Sequence, residues 1–387
     1  METTMGEIQI LIVLAFIIFA SPYIAKFIKI PVAPTEIILG IIFGSLGFFP
    51  ENEFFKVVAD VGFYYLMFLA GTEVDLKIFF TTEKTVLKRS IIFLVLLYIL
   101  SILLVYTLNL SYLFIIVMPI ISIGILSTLY KDYGKDEEWL NTAMLVGVIG
   151  EVVSIALLTI LNAYLKYGFG ASLFINLAAL VGFLAITTIV FKGLDLFFWW
   201  YPSIKKILMP QYDKEEKDIR LSMALLCFVI AVMIILDLKV VIGAFIAGTL
   251  IPTFFDHKKE LPHKLSSFGF GFLVPIFFVY IGSTVNLDAL LLPGVVPTIF
   301  LITTAMLIVR LVASIIFIPN LGLKGSVLFG ISLSIPLTLL IATAAIGYET
   351  KYISQDVYYS LILASLFEAI ICLVMIKVIY NFKLSKK

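Results

Sequence analysis

A helix that crosses the hydrocarbon core of a bilayer needs about 20 mainly apolar residues. Runs of that kind follow one another along almost the whole of this chain. Thirteen can be read, near 7–29, 33–49, 54–75, 86–107, 110–130, 140–165, 171–200, 219–238, 240–254, 266–285, 293–318, 323–346 and 353–380. They are continuous rather than alternating, so the expected fold is all-α and polytopic, not a barrel of strands. Composition agrees: 62% of the 387 residues are hydrophobic and 14% are charged, against about a quarter charged in an average soluble domain. An ordinary soluble enzyme, a disordered chain and a nucleic-acid binder are excluded. The net charge of +1 points to no polyanionic partner. Cys227 and Cys372 lie too far apart to suggest a disulfide framework. Glu2 and Glu7 stand where a cleaved signal would carry Lys or Arg, so the first run is read as a helix that stays.

The basic residues orient the chain, because cytoplasmic loops carry the excess of Lys and Arg. With the N-terminus outside, 22 of the 27 fall on the cytoplasmic side, from Lys26 and Lys29 to Lys383, Lys386 and Lys387. Only Lys56, Lys166, Lys239 and Lys351 fall outside, and Arg310 lies within a run. The expectation is a multi-pass cell-membrane protein, N-terminus outside and C-terminus cytoplasmic. The longest loop, 201–218, reads as a solvated cytoplasmic linker, and 381–387 as a short tail.

Short matches recur in order along the two halves. Gly44-Ser45-Leu46 pairs with Gly248-Thr249-Leu250, GTEVDL (71–76) with GSTVNL (282–287), and ISIGILST (121–128) with ISLSIPLT (331–338). Their offsets are 204, 211 and 210 residues. The chain 1–387 is therefore expected to form one transporter unit. Its first six-helix repeat, with a connector helix, spans 7–200, and its second, inverted in the membrane, spans 219–380. Inverted repeats and helices broken at matching positions mark binding sites in secondary transporters. Pro336 cannot continue a helix, and Ser122 and Gly124 weaken the partner run. Freed carbonyls and half-helix ends are expected there as cation ligands. Side-chain candidates are Ser127, Thr128, Ser332, Ser334 and Thr338.

Four ionisable residues lie inside runs: Glu36, Glu151, Arg310 and Glu368. A charge at mid-bilayer costs at least about 2.5 kcal/mol on insertion scales, so each needs a partner, a wet cavity or a function. Glu151 sits near the middle of the sixth run beside Gly147 and Gly150. Burial favours its neutral form and a nearby guanidinium its charged form, so a proton and a hard cation can compete for it. Arg310, at similar depth, stays charged and is the candidate charge partner, as is Glu368. Glu36 follows Pro31 and Pro34 and suits either a capping or a pathway role. Glu73 and Asp75 close the third run, facing either loop water or a pathway. His257 and His263 share a cytoplasmic loop and read as surface residues.

The segments PTEIILGIIFGSLGFFP, FYYLMFLAGTEVDL, IGAFIAGTLIP and VPIFFVYIGSTVNL resemble the monovalent cation:proton antiporter superfamily, in its NapA-like and Kef-like branch. The likeness runs over nearly the whole chain. It implies two inverted six-helix repeats and a homodimer. It also implies a moving core built from runs 4–6 and 11–13, with runs 5 and 12 broken and crossing at the ion site. The family's acidic pair in run 6 reads Gly150-Glu151 here, so only the second, ion-binding carboxylate transfers. The family's basic residue in run 11 maps onto Arg310.

The reading is a secondary transporter exchanging Na⁺ or K⁺ for H⁺, without cofactor or enzymatic chemistry, with Glu151 as the shared carboxylate. A Kef-type nucleotide-binding domain is not legible, so gating of that kind is expected to be absent or supplied by a separate cytoplasmic protein. Two other readings remain at the level of sequence. One is an organic-anion transporter that uses Arg310 for the substrate carboxylate. The other is a membrane sensor or subunit that transports nothing.

Overall fold

A computed structural model describes residues 2–28, 30–50, 52–72, 84–123, 137–168, 170–201, 215–236, 240–255, 260–285 and 294–381, with isolated positions between them. Its elements are helices: α1 (Glu2–Ile28), α2 (Val32–Ser45), α3 (Glu53–Thr72), α4 (Lys84–Leu108), α5 (Phe114–Val117), α6 (Glu138–Tyr167), α7 (Ala171–Trp200), α8 (Lys217–Ile235), α9 (Val240–Phe254), α10 (Leu261–Phe268), α11 (Val274–Ser283), α12 (Val295–Ser314), α13 (Ile318–Ser332), α14 (Leu337–Glu349) and α15 (Gln355–Asn381). Among the described residues, eight helical stretches are long and apolar enough to cross a membrane, and Val32–Ser45, Val181–Leu194 and Val240–Phe254 are shorter apolar helices. The longest stretch, Val295–Glu349, holds runs 11 and 12 together. Gly322, at φ 68°, ψ 175°, breaks its helical backbone between them. Many large apolar side chains point outward. Phe19 and Phe27 on α1, Ile99 and Leu103 on α4, and Phe174 and Ile189 on α7 are all exposed. Exposed apolar side chains in this number on long helices belong in lipid.

The chain divides into two compact units. The first comprises Met1–Lys77 and Tyr167–Asn286. In it α11 lies against α2 and α3, α9 against α3, and α8 against α9. Ile10, Val13, Leu14 and Ile17 of α1 pack with Phe55, Ile276 and Val279. Two helix crossings are so close that only glycine fits. A Cβ on Gly282 would stand 2.2 Å from the Ile37 carbonyl oxygen and 2.9 Å from Gly40 Cα. A Cβ on Gly71 would stand 2.1 Å from the Phe245 carbonyl oxygen and 2.9 Å from Gly248 Cα. The same contact is thus made twice, α2 on α11 and α9 on α3. It pairs Gly71 with Gly282, as the sequence matches do. It pairs Gly248 with Gly40 rather than Gly44, one helical turn away. Small residues allow such backbone approach in membranes, where tight packing replaces the hydrophobic drive between helices.

Between α10 and α11 the helix widens into a π turn, Gly269–Leu273. Pro275, just beyond, supplies no amide hydrogen to the preceding turn, which accounts for the irregularity. On the same unit Asp218, buried at the start of α8, accepts from the Ile219 amide at 2.8 Å. It also lies 3.4 Å from Lys258 Nζ and 3.6 Å from Lys264 Nζ, joining α8 to the segment before α10 and to α10 itself.

The second unit comprises Ile78–Lys166 and Leu287–Lys387. It is the set of runs 4–6 and 11–13 that the family resemblance assigns to a core. α12 packs on α15, α13, and α4, and α14 packs on α15. Phe93, Phe317 and Phe329 form a buried triangle, with ring centroids 4.5–6.0 Å apart. At one end the Tyr380 hydroxyl donates to Glu137 at 2.7 Å, the Trp139 indole donates to the same carboxylate at 2.9 Å, and Lys324 donates to the Tyr380 carbonyl at 2.8 Å.

Candidate functional site: two chain breaks around Glu151 and Arg310

Two stretches of the second unit leave the helical path. After α5 the chain is non-helical over 120–123, and between α13 and α14 it is non-helical over 333–336, ending on Pro336. The second break falls where Pro336 places it. A backbone group left unpaired inside a membrane costs several kcal/mol, so each break must find partners nearby. It does, from side chains on α6, α12 and α15.

From α6, Ser154 Oγ accepts the Ile121 amide at 3.1 Å, and Glu151 Oε2 accepts the Ile123 amide at 3.3 Å. Glu151 Oε1 accepts the Ser122 hydroxyl, also at 3.3 Å. The carboxylate is fully buried. Glu151 and Ser154 are three residues apart and so share one helix face. That face can approach the break because of its glycines. A Cβ at Gly150 would sit 2.6 Å from Ile121 Cδ1, and one at Gly147 would sit 2.8 Å from Ile123 Cγ2. This is a physical reason for Gly150-Glu151 at this place: the space beside the residue before the carboxylate is filled by the Ile121 side chain.

From α12, Arg310 holds carbonyls of both breaks. Its Nε donates to Leu333 at 3.0 Å, its Nη1 to Met306 at 3.1 Å, and its Nη2 to Ile120. The side chain is fully buried. The planar, always-charged guanidinium is suited to reaching two backbone oxygens at once. From α15, Cys372 Sγ donates to the Ser334 carbonyl at 3.5 Å. The breaks themselves meet where the Ser122 and Thr338 hydroxyls lie 2.8 Å apart.

The structure therefore brings together Glu151, Thr338 and Arg310 among the residues singled out from sequence. Of the carbonyls freed at the breaks, those of Ile120 and Leu333 accept from Arg310 and that of Ser334 accepts from Cys372. Ser332 and Ser334 do not reach toward Glu151. Their hydroxyls return to the Phe329 and Gly330 carbonyls of their own helix, at 2.8 and 3.0 Å. Glu368 is fully buried on α15, with neither oxygen hydrogen-bonded among the described residues. Glu36 belongs to the first unit, where it accepts the Ser21 hydroxyl at 3.1 Å. His263 is exposed. Ser127, Thr128, Glu73, Asp75 and His257 lie outside the described residues.

Sequence reasoning passed over Ser154, Tyr98 and Cys372, and took Ser122 only as a helix weakener. Tyr98 lies beside Ser154. For Ser154 a signal existed, its spacing from Glu151. For Cys372 one existed too, its spacing of four from Glu368, whereas Tyr98 reaches the site from a helix with no singled-out residue.

A buried carboxylate on one helix and an arginine bridging two broken helices thus lie together in a unit of long apolar helices. Residues 12–381 match the family model described as sodium/hydrogen exchanger, transmembrane, and the chain belongs to that family. The family is one of secondary transporters rather than enzymes, and the chain is a multi-pass membrane protein. A candidate Na⁺/H⁺ antiporter of Bacillus subtilis (strain 168) is 28% identical over 404 residues, covering 96% of this chain. The chain spans 63% of that relative's length. A candidate Na⁺/H⁺ antiporter of Methanocaldococcus jannaschii is 26% identical over 386 residues, covering 96% of each chain. The solved structure of the sodium proton antiporter MjNhaP1 from M. jannaschii at pH 8 matches with a TM-score of 0.70 at 18% identity, covering 97% of each chain. That likeness establishes a shared fold.

Proposed function

We propose that this protein exchanges Na⁺ or K⁺ for H⁺ across the cell membrane by alternating access, with Glu151 as the carboxylate that holds either ion. The observation that carries the reading is the position of Glu151. It is fully buried and accepts both a hydroxyl and an amide from the broken stretch 120–123. Those two donors hold the carboxylate against the broken stretch. A cation brought to it meets oxygen atoms of Glu151, Ser122 and Thr338, which suit a hard ion. Protonation removes the charge and releases the ion.

The cycle follows from that competition. Deprotonated Glu151 binds a partly dehydrated cation, the second unit carries it across, and a proton replaces it for the return. One carboxylate alternating between one proton and one cation gives electroneutral exchange. The doubled glycine contact of the first unit supports inverted six-helix repeats, which supply the two access states. The thirteen-span layout, the N-terminus outside, and a homodimer belong to the same proposal. Arg310 spends three nitrogens on backbone carbonyls, which weighs against its binding the carboxylate of an organic substrate.

The test is exchange in proteoliposomes with an internal pH dye, driven in turn by Na⁺, K⁺ and Li⁺ gradients with membrane potential recorded. Proton movement with at least one cation and no accompanying current is the expected result. Silence under every gradient would leave a non-transporting subunit as the better reading.

A further inference from the structure

The mechanism above uses Glu151 and leaves a second carboxylate of the same unit without a task. Glu368 on α15 is fully buried, and both its oxygens lack a hydrogen-bond partner among the described residues. A buried ionised carboxylate ordinarily recruits several donors or a bound cation. Arg310 stands on α12, which packs on α15, and its charge acts on Glu368, but that guanidinium donates to Leu333, Met306 and Ile120 instead. One turn further along α15, Cys372 touches the Ser334 carbonyl, so this face of α15 abuts the second chain break. Phe367, next to Glu368, packs edge-on against Phe300 of α12 with centroids 5.0 Å apart. One turn on from Phe300, Thr303 Oγ1 is a second buried polar atom without a partner among the described residues.

We propose that Glu368 is a second proton-binding site of the core, distinct from Glu151, whose charge state governs how firmly Arg310 holds the two chain breaks. With a proton on a Glu368 oxygen, Arg310 has no anion beside it on α15 and stays on the Ile120 and Leu333 carbonyls. Release of that proton to water creates a carboxylate that competes with those carbonyls for the guanidinium. The grip on the breaks then loosens, and the stretch carrying Ser122 and Ile123 against Glu151 loosens with it. The two carboxylates are thereby coupled through one arginine, and coupled groups titrate as a pair rather than singly.

Other titratable groups on or packed against α15 are Asp356, Tyr358, Tyr359, Cys372, Lys377 and Tyr380 on the helix itself, Lys324 on α13, and Tyr348 and Glu349 on α14. Tyr98 on α4 acts on Arg310. Lys324 is engaged with Tyr380 and Tyr348 stacks on Tyr358 at 4.8 Å, both toward the ends of α15. Arg310 and Cys372 are thus the groups that face Glu368 at its own depth.

The inference rests on cation/proton exchange by this core, but its test is separable from that of Glu151. Infrared difference spectra between acid and alkaline pH are recorded on the full chain in lipid, for wild type, Glu151→Gln, Glu368→Gln and Glu368→Asp. A protonated-carboxyl band that titrates in Glu151→Gln, vanishes in Glu368→Gln and changes position in Glu368→Asp is expected. In proteoliposomes, Glu368→Gln should still exchange, with the alkaline limb of its pH profile, where wild-type Glu368 gives up its proton, displaced by about one unit or more. Identical carboxyl bands in wild type and Glu368→Gln would overturn the proposal, as would superimposable pH profiles. A Glu151→Gln protein that still exchanges would overturn the reading of Glu151 alone and leave the Glu368 band unaffected.

Discussion

Ser122 and Thr338 meet through their hydroxyls at 2.8 Å although 216 residues separate them. Each sits at a point where its helix has come apart, and Ser122 also donates to Glu151. The contact is thus the point at which the two broken stretches and the buried carboxylate become one site. Ser122→Ala and Thr338→Val should each raise the cation concentration for half-maximal exchange by about 3- to 10-fold, the worth of one ordinary hydrogen bond. The rate at saturating cation should change little. A cation titration of exchange at fixed pH reads both quantities.

Arg310→Lys keeps the charge and loses the fork. A lysine cannot span Ile120, Leu333 and Met306 together, so at least one carbonyl is left buried and unpaired. That costs about 1–3 kcal/mol and should lower the thermal unfolding midpoint in detergent. Exchange should fall as well, because the breaks lose their common clamp. A variant as stable and as active as wild type would show that the bridging geometry is dispensable.

The paired glycines give a packing test. Gly71→Ala and Gly248→Ala each place a Cβ 2.1 Å from a backbone carbonyl oxygen, which cannot swing aside as a side chain would. Each should cost about 1–3 kcal/mol through helix displacement. Gly193→Ala in α7, where a Cβ would meet nothing within 4 Å, is the control. It should leave the unfolding midpoint unchanged or slightly raised.

Proton and cation competing for Glu151 fixes the sign of the pH dependence. As pH falls the carboxylate is occupied by protons, and the apparent affinity for cation drops. One-for-one competition limits the drop to about tenfold per pH unit. Half-saturation measured at several pH values should approach that slope on the acid side without exceeding it.

Much of this was legible from residues alone, for physical reasons that differ from case to case. Glu151 and Arg310 stood out because lipid makes any charge within an apolar run conspicuous. The break before α14 was readable because Pro336 cannot complete a helix. What the sequence withheld was rotation. It places Arg310 and Glu151 at similar depth, yet does not say that the guanidinium turns to backbone carbonyls. Ser332 and Ser334 are polar in the right stretch, but a helical hydroxyl can satisfy itself three or four residues back, and both do. The close helix crossings use Gly71 and Gly282, which stand in the matched segments, whereas Gly248 meets Gly71 and it is Gly40, one turn before the matched Gly44, that meets Gly282.

The central claim is that one buried carboxylate carries the exchange. It is tested most directly by cation-driven proton movement in proteoliposomes, comparing wild type with Glu151→Gln for Na⁺, K⁺ and Li⁺ across pH. The substitution keeps the side chain's size and a hydrogen-bond acceptor for the Ile123 amide, so the protein should fold with a similar unfolding midpoint. The account predicts that exchange disappears for every cation at every pH. A folded Glu151→Gln protein that exchanges at the wild-type rate would contradict it.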